Sequence, residues 1–386
     1  MMPCAILLLA ALALPGCQFI LGIEDVQSEA GTPITDGGTG SDGGDDATAS
    51  SDAMLPFTCP MGEPQRLTST PALHSEEPQL AHNNDETVVL WSDDDAIRLN
   101  RLQTPARPSS TSILVNANGT EWDPNLTAGH DGFLVSTVTR AGPDRDEMQV
   151  YLWPDGSEVL GSPEPVLSQN DIASQPRLIW NGTEYAAAVP RDDLIHTVVF
   201  DPPIDAVSRQ FTAMWGTGDG FITRVVWNPD REQFAIAYEQ NGNTYLLRTN
   251  RDGVGVNQGT TELISETGFV EADIVWDGEE YVVARIIGTQ LDLILRNAEG
   301  EPSRELNTSW STGPNPNDIR LMAIDTGYAV MWTAEDPDGG DAANSWLYFM
   351  TLDSEFNQVA EPAVISDPTR DVRRGPDLVW TGEYFI

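Results

Sequence analysis

Short apolar runs recur along the chain, and each is followed by a turn and a second apolar run. The clearest example is LIWNGTEYAAAV at 178–189, and a near copy, IVWDGEEYVVAR, lies at 274–285. In both, the first run ends in Trp, and Asn-Gly or Asp-Gly separates it from a run that opens with Glu and Tyr. Asn-Gly and Asp-Gly accept the positive φ angles that a type I′ turn needs at both central positions. The pattern therefore predicts a β-hairpin of two strands, a and b, joined by a two-residue turn.

This hairpin returns at a regular spacing. When the copies are aligned on the apolar residue that opens strand a, successive copies are 46, 52, 47, 49, 47 and 57 residues apart. The aligned residues are Leu80, Leu126, Leu178, Val225, Ile274, Leu321 and Leu378. A second predicted hairpin, of strands c and d around an Asp-Gly or Glu-Gly turn, follows at 149–159, 245–256 and 291–302. Four strands in about 40–50 residues are typical of one blade of a β-propeller.

The prediction is therefore an all-β fold, a β-propeller of four-stranded blades that occupies 59–386. The blade repeats start near residues 78, 124, 176, 223, 272, 319 and 376, which predicts seven blades. The last copy, LVWTGEYFI at 378–386, reaches only strands a and b. We expect its strand d to come from 63–75 and its strand c to lie beyond Ile386, so that the closing blade is incomplete in this chain.

Three alternatives stay open for the architecture. The closing blade could be open, or six blades could carry a loose hairpin. A β-sandwich with coincidental hairpins is the third, but a sandwich gives no reason for Trp–turn–Tyr to repeat in one register.

The W-N/D-G-x-E-Y hairpin and the x-D-G hairpin after it resemble the long repeats of β-propellers in surface lipoproteins of myxobacteria-like bacteria. The resemblance covers about 64–386. It implies a propeller fold and says little about activity, because propellers serve binding, scaffolding and catalysis alike.

The N-terminus has the features of an export signal. Residues 5–14 form an apolar stretch that is too short to span a bilayer as a helix but has the length of a signal-peptide core. The LPGC segment at 14–17 resembles the lipobox of bacterial lipoproteins, which implies that 1–16 is a signal peptide and that Cys17 is acylated. Pro15 and the lack of Lys or Arg before the apolar stretch depart from that pattern, and an ordinary secretory signal is the alternative.

The segment after the signal has the composition of a flexible tether. Residues 27–56 are rich in Gly, Ser, Thr, Asp and Ala and contain no aromatic residue. Such a segment cannot bury enough apolar surface to offset the entropy of ordering. We therefore expect 17–58 to link an acylated Cys17 to the propeller. This predicts an exported, membrane-anchored lipoprotein at the outer membrane or cell surface of a Gram-negative bacterium.

The charge of the chain narrows the range of partners. It holds 60 acidic residues and 20 basic ones, all of them Arg, which gives a formal net charge of −40. This charge argues against nucleic acids and anionic lipid surfaces as partners. A protein, a glycan or another envelope component stays open, and we expect a monomer.

The sequence lacks the usual signatures of catalysis. Its four His residues show no metal-ligand spacing, and it has neither a nucleophile elbow nor a phosphate-binding Gly-rich loop. We therefore expect no catalytic residue, and a binding or scaffold module. One alternative is a glycoside hydrolase or lyase whose carboxylates meet across the channel. Another is a structural surface protein without a discrete ligand.

Acidic segments between strands b and c indicate where a ligand could bind. We expect these connections to be longer than the a–b and c–d turns, and loops carry function more often than the scaffold beneath them. Converging carboxylates there would suit a calcium ion or a cationic partner, and no other cofactor is expected. Plain solvated loops are the alternative. The candidate residues are Asp93, Asp94, Asp95, Asp144, Asp146, Asp192, Asp193, Asp336, Asp338 and Asp341.

The acylation of Cys17 can be tested directly. Cells grown with a clickable fatty-acid probe should label the wild-type protein and not a Cys17→Ser variant, because the thiol is the acceptor of the lipid. Equal labelling of both, or a mature protein whose N-terminus is not residue 17 by mass spectrometry, would rule the anchor out.

Overall fold

The computed structural model describes the greater part of the chain from residue 75 onward. The described ranges are 75–83, 86–93, 96–103, 107–108, 113–116, 121–142, 145–154, 164–169, 175–191, 194–201, 209–213, 221–256, 261–265, 272–306, 308–335, 345–366, 376–382 and 385–386. The predicted signal peptide, the tether, Cys17 and residues 63–74 lie outside these ranges. Within the described residues, no helix is long and apolar enough to cross a membrane.

Antiparallel sheets make up the described fold, and each of the six sheets is formed by strands that follow one another in the chain. The first sheet holds β1 (Ser75–Asn83), β2 (Glu86–Asp93), β3 (Ala96–Gln103), β4 (Arg107–Pro108) and β5 (Ile113–Asn116), and the last two both pair with β3. The second holds β6 (Glu121–Ala128), β7 (Gly132–Gly142), β8 (Arg145–Pro154) and β9 (Glu164–Gln169). The third holds β10 (Arg177–Trp180), β11 (Tyr185–Arg191), β12 (Leu194–Phe200) and β13 (Arg209–Ala213).

The remaining three sheets have the same order of strands. The fourth holds β14 (Phe221–Asn228), β15 (Gln233–Gln240), β16 (Asn243–Asn250) and β17 (Glu262–Ser265). The fifth holds β18 (Ala272–Trp276), β19 (Tyr281–Ile287), β20 (Gln290–Arg296) and β21 (Ser309–Ser311). The sixth holds β22 (Asn317–Ile324), β23 (Gly327–Glu335), β24 (Ser345–Asp353) and β25 (Ala363–Val364). The predicted all-β fold is confirmed, five of the six described sheets are four-stranded antiparallel units, and strand a of each sheet is an edge strand.

The sheets share buried cores with their neighbours, and the series of cores closes into a ring. Five apolar clusters join successive pairs, from the first and second sheets to the fifth and sixth. The C-terminal segment 376–386 continues the series: Trp380 and Phe385 form an antiparallel bridge, and Phe385 packs on Phe349 of the sixth sheet. Ile386 packs against the first sheet near Trp91. A closed ring of radially packed sheets is the arrangement of a β-propeller.

The a–b turns differ from the predicted type I′ turns. In the third sheet Gly182 has a φ of 98° and Asn181 has no positive φ, so the central pair is Gly182 and Thr183. The reason is a side-chain cap that the pattern does not reveal. Asn181 Oδ1 accepts hydrogen bonds from the backbone N–H groups of Thr183 and Glu184, and Asp277 Oδ1 makes the equivalent bonds in the fifth sheet. The Asn or Asp therefore closes the turn with its side chain.

The b–c connections are shorter than expected, and the prediction of longer loops is wrong for three of the four acidic segments. The ladders continue to Asp93↔Ala96, Gly142↔Arg145 and Arg191↔Leu194, which leaves two residues in each connection. Backbone hydrogen bonds hold a ladder together whatever the charge of solvent-facing side chains, so acidic residues did not end these strands. The fourth segment, 336–344, lies outside the described residues.

In the fifth and sixth sheets, the Tyr near the start of strand b forms a hydrogen bond with the a–b turn of the preceding sheet. Tyr281 Oη accepts a hydrogen bond of 3.1 Å from Asn228 Nδ2 in the preceding a–b turn. One repeat later, Tyr328 Oη donates to Asp277 Oδ2 in the same way. Burial, and then the contact with Asp277, raises the pKa of Tyr328 well above its usual value. At Gly129 a β-carbon would overlap the hydroxyl of Tyr185, so the turn leaves room for the phenol.

The contribution of this contact can be measured with Tyr328→Phe. The change keeps the ring in place and removes the O–H donor, so the partly buried carboxylate of Asp277 loses a hydrogen bond that is worth about 1.5 kcal/mol. Urea unfolding of the wild type, Tyr328→Phe, Asp277→Asn and the double variant gives the coupling energy free of the turn-capping role of Asp277. Additive effects of the two changes would show that the sheets are not joined through this pair.

Candidate functional site

The innermost strands surround a shared cavity, the axial pocket, with a volume of about 610 Å³. Its lining comes from strand a of all six sheets and from the C-terminal segment. Each strand a has one edge without a strand partner in the described sheets, and that edge faces the axis of the ring. Unpaired edges expose backbone N–H and C=O groups that need partners.

One layer of the axial pocket is polar. The residue immediately before the aligned apolar residue of strand a is polar in all seven copies, and we name these residues the polar ring. They are Gln79, Asn125, Arg177, Arg224, Asp273, Arg320 and Asp377. Five of them line the pocket, while Asp273 and Arg320 lie behind its wall. In four of the strands an irregularity of the ladder ends at the polar-ring residue, as expected where a β-bulge redirects a side chain.

Polar-ring side chains satisfy the open edge of the next sheet. Asn125 Oδ1 accepts a hydrogen bond of 2.8 Å from the backbone N–H of Leu178. Asp273 Oδ2 accepts one of 2.8 Å from Leu321. Arginine at this position acts as a donor instead, and Arg177 Nε donates to the carbonyl of Ile222 at 3.1 Å.

The same contact closes the ring. Asp377 Oδ2, near the end of the chain, accepts a hydrogen bond of 2.6 Å from the backbone N–H of Leu80 in the first sheet. Its Oδ1 lies 3.6 Å from Arg320 Nε and 3.9 Å from Arg224 Nη1. The Asp377 side chain is only 4% exposed, so one buried carboxylate joins the first sheet, the C-terminal segment and two guanidinium groups.

Arg224 occupies the centre of this layer. Its guanidinium lies between Asp273, at 3.8 Å, and Asp377, at 3.9 Å, and both distances exceed that of a hydrogen bond. Asp273 and, less strongly, Asp377 raise the pKa of Arg224 against the opposing effect of burial. Within the described part of the chain the guanidinium makes these two ion-pair contacts and no hydrogen bond, and 32% of its side chain is exposed. Its N–H donors are therefore available to the contents of the pocket.

The polar ring holds three arginines and two aspartates, so it carries a net positive charge inside a chain of formal charge −40. The carboxylate oxygens already face N–H groups or guanidinium groups, as described above. In a cavity partly enclosed by protein, such a centre attracts an anion more strongly than the same charges would on the open surface. An anion is accordingly the chemical species that this layer can hold.

A second layer of the pocket is aromatic. Trp180, Trp227 and Trp276 line the pocket three residues after the polar ring in the third, fourth and fifth sheets. At about 3.3 Å per residue, the two layers are about 10 Å apart along the axis. Each indole packs against the first aromatic residue of its own strand b, with ring centroids 4.6–4.7 Å apart. We name these three residues the aromatic layer.

Of the acidic residues that the sequence suggested as a binding face, two lie in the described part of the structure. Asp93 ends β2, and Asp146 lies in β8, buried and paired along the backbone with Gln169. The other candidates, Asp94, Asp95, Asp144, Asp192, Asp193, Asp336, Asp338 and Asp341, lie outside the described residues. Among the described residues no group of three or more His, Cys, Asp or Glu could hold a metal ion.

The polar ring was missed although the sequence contains its signal. The alignment that places Leu80, Leu126 and their equivalents in register also places a polar residue before each of them. A polar residue beside a buried apolar one in a strand is ordinarily explained as a solvent-facing position. Because the sheets form a closed ring, that position faces the central pocket and not bulk water.

No protein-family model matches the chain, and no curated protein matches it in sequence. Several solved structures are similar in arrangement. A protein from Lactobacillus plantarum is 14% identical with a TM-score of 0.48, over 74% of this chain and 84% of that one. The SapL1 lectin in complex with alpha methyl fucoside is 12% identical with a TM-score of 0.46, over 75% and 96%. TolB from Acinetobacter baumannii is 10% identical with a TM-score of 0.41, over 73% and 77%. These values are too low to bear on activity.

The contribution of Asp377 to ring closure can be tested with Asp377→Ala. The change leaves the Leu80 N–H without its acceptor and two guanidinium groups without their shared carboxylate, which should cost about 3 kcal/mol of unfolding free energy. Glu299→Ala is the matched control, because it removes a carboxylate from an exposed pair with Arg231 and should cost less than about 1 kcal/mol. Equal midpoints of urea unfolding for the two variants would show that Asp377 does not hold the ring closed.

Proposed function

We propose that this chain is a non-catalytic binding module, a seven-bladed β-propeller that takes an acidic ligand into its axial pocket. The observation that carries the proposal is the guanidinium of Arg224, which is exposed to the pocket and makes no hydrogen bond within the described residues. Arg177 lines the same pocket, and the guanidinium of Arg320 adds positive charge 3.6 Å from Asp377. Guanidinium groups are suited to carboxylates and phosphates because their N–H donors match two oxygen atoms at once.

The count of seven blades is part of this proposal. It is supported by the contacts of 376–386, which packs on the sixth sheet on one side and on the first sheet on the other. Asp377 also makes the same contact with the next strand a that Asn125 and Asp273 make elsewhere in the ring. These contacts support the proposal that the segment supplies strands a and b of a further blade.

The cellular setting that we propose is the bacterial envelope. A lipid on Cys17 and the tether up to residue 58 would hold the propeller at the outer membrane or cell surface, where it would act as a monomer on an envelope or environmental ligand. The proposal is supported by the lipobox-like segment and by the composition of the tether. Calcium binding by the acidic b–c segments is a separate hypothesis, for which a rise in melting temperature with calcium is the test.

A hydrolase or lyase in the axial pocket is the less well supported function. Glycoside hydrolysis by the usual route needs two carboxyl groups about 5–10 Å apart around the bond that breaks. Among the described residues that line the pocket, Asp377 is the only carboxylate, and both of its oxygens face donors of the protein. No observation in the pocket favours a reaction over binding.

Anion binding can be tested by thermal unfolding in acetate, phosphate and citrate at constant ionic strength. A ligand at about 100 times its Kd stabilises the folded state by about 2.7 kcal/mol, so at least one anion should raise the wild-type melting temperature by a few degrees. Arg224→Gln should lose the rise. Arg231→Gln removes one positive charge from an exposed turn and should keep it. No rise in any anion, or the same rise in Arg224→Gln, would refute an anion site at the polar ring.

A further inference from the structure

The axial pocket offers three kinds of contact in a fixed order. Guanidinium groups lie in the polar ring, indoles lie about 10 Å away along the axis, and the open edges of the strands a run between them. The amides of Gln79 and Asn125, joined by a hydrogen bond of 3.1 Å, add further polar groups to the wall. A ligand that fills the pocket must therefore present an acid at one end, polar groups along its side and an apolar face at the other end.

Arg224 and Trp276 both face the boundary between the fourth and fifth sheets. Arg224 extends toward Asp273 of the fifth sheet. Trp276 packs in the core that the fourth and fifth sheets share. A single ligand lying along this boundary would reach both residues.

Few classes of small molecule combine the three properties. The C–H face of a pyranose ring is apolar and flat enough to lie on an indole, and its hydroxyl groups both donate and accept hydrogen bonds, as an open strand edge requires. A carboxylate on such a sugar matches a guanidinium. An aromatic acid would use the two ends of the pocket and leave the strand edges unsatisfied. A neutral sugar would add no negative charge near Arg224, whose present ion-pair partners, Asp273 and Asp377, lie at 3.8 and 3.9 Å.

We propose that the ligand of the axial pocket is an acidic saccharide, a short oligosaccharide that contains a uronic acid. Its carboxylate binds Arg224 in the polar ring, its hydroxyls meet the strand edges, and a sugar ring lies on Trp276. The volume of about 610 Å³ is within the range of about 300–1,000 Å³ that is usual for small-ligand pockets. This inference rests on the proposed function and adds the class of ligand to it.

The test is isothermal titration of the purified chain with a glucuronate-containing trisaccharide, its neutral glucose counterpart and phenylpropionate. The acidic trisaccharide should bind at least tenfold more tightly than either of the others. Arg224→Gln should weaken the acidic sugar about tenfold and remove its advantage over the neutral one, because only the carboxylate contact is lost.

Trp276→Leu separates the sugar from the acid. It should weaken the acidic trisaccharide and leave the melting-temperature rise in simple anions unchanged. Trp380→Leu is the matched control, because Trp380 has the same position in its repeat and the same aromatic packing, at 4.6 Å from Phe385, but does not line the pocket. It should keep wild-type affinity for the sugar.

The outcomes distinguish this inference from the function on which it rests. If simple anions stabilise the chain through Arg224 but the acidic trisaccharide binds no more tightly than phenylpropionate or glucose trisaccharide, the saccharide is wrong and the anion site stands. If neither anions nor the acidic sugar bind, both are wrong. Loss of sugar binding in Trp276→Leu and Trp380→Leu alike would assign the effect to stability and overturn the role of the aromatic layer.

Discussion

The unpaired inner edge of each sheet is the constraint on which this structure depends. A strand at the end of a sheet leaves its backbone N–H and C=O groups without partners, and in a ring of sheets these edges all face one axis. The polar ring supplies partners for these groups, because a side chain from one sheet forms a hydrogen bond with the edge strand of the next sheet. Asn125 and Asp273 accept from an N–H group of the next strand a, and Arg177 donates to a carbonyl of the next strand a. The character of the pocket follows from this structural task, since the residues that complete the edges are also those that charge the cavity.

The architecture could be predicted from the sequence because it is determined by local sequence patterns. Apolar runs, Gly-containing turns and a spacing of 46–57 residues are sufficient to predict four-stranded antiparallel units, and the strands a begin within a few residues of the expected positions. The predicted turn type was wrong because the hydrogen bonds by which Asn181 and Asp277 cap their turns depend on the side-chain rotamer, which the sequence pattern does not specify. The predicted length of the b–c connections was wrong because the charged residues at the ends of these strands have the composition that is typical of loops.

The candidate site could not be predicted in the same way. The sequence drew attention to runs of aspartate, since they stand out in a single segment, whereas the polar ring is assembled from residues about 50 positions apart. Each of its members, such as Arg224 or Asp377, is unremarkable beside its own neighbours in the chain. Their role depends on ring closure, which brings the seven residues into one layer and places five of them in the lining of the pocket.

The bond between Leu80 and Asp377 spans 297 positions in the sequence, and this has a consequence for the order of folding. Contacts within a sheet, and between one sheet and the next, join residues that are close in the chain and can form while synthesis is still under way. The closing bond cannot form until Asp377 has been made, 297 positions after Leu80. The entropy lost in joining distant ends rises only with the logarithm of the separation. The free-energy cost of the closing bond is therefore modest, although the bond forms late in folding. Until it forms, an arc of sheets exposes an open side, and a chaperone that shields this side would have most effect in that interval.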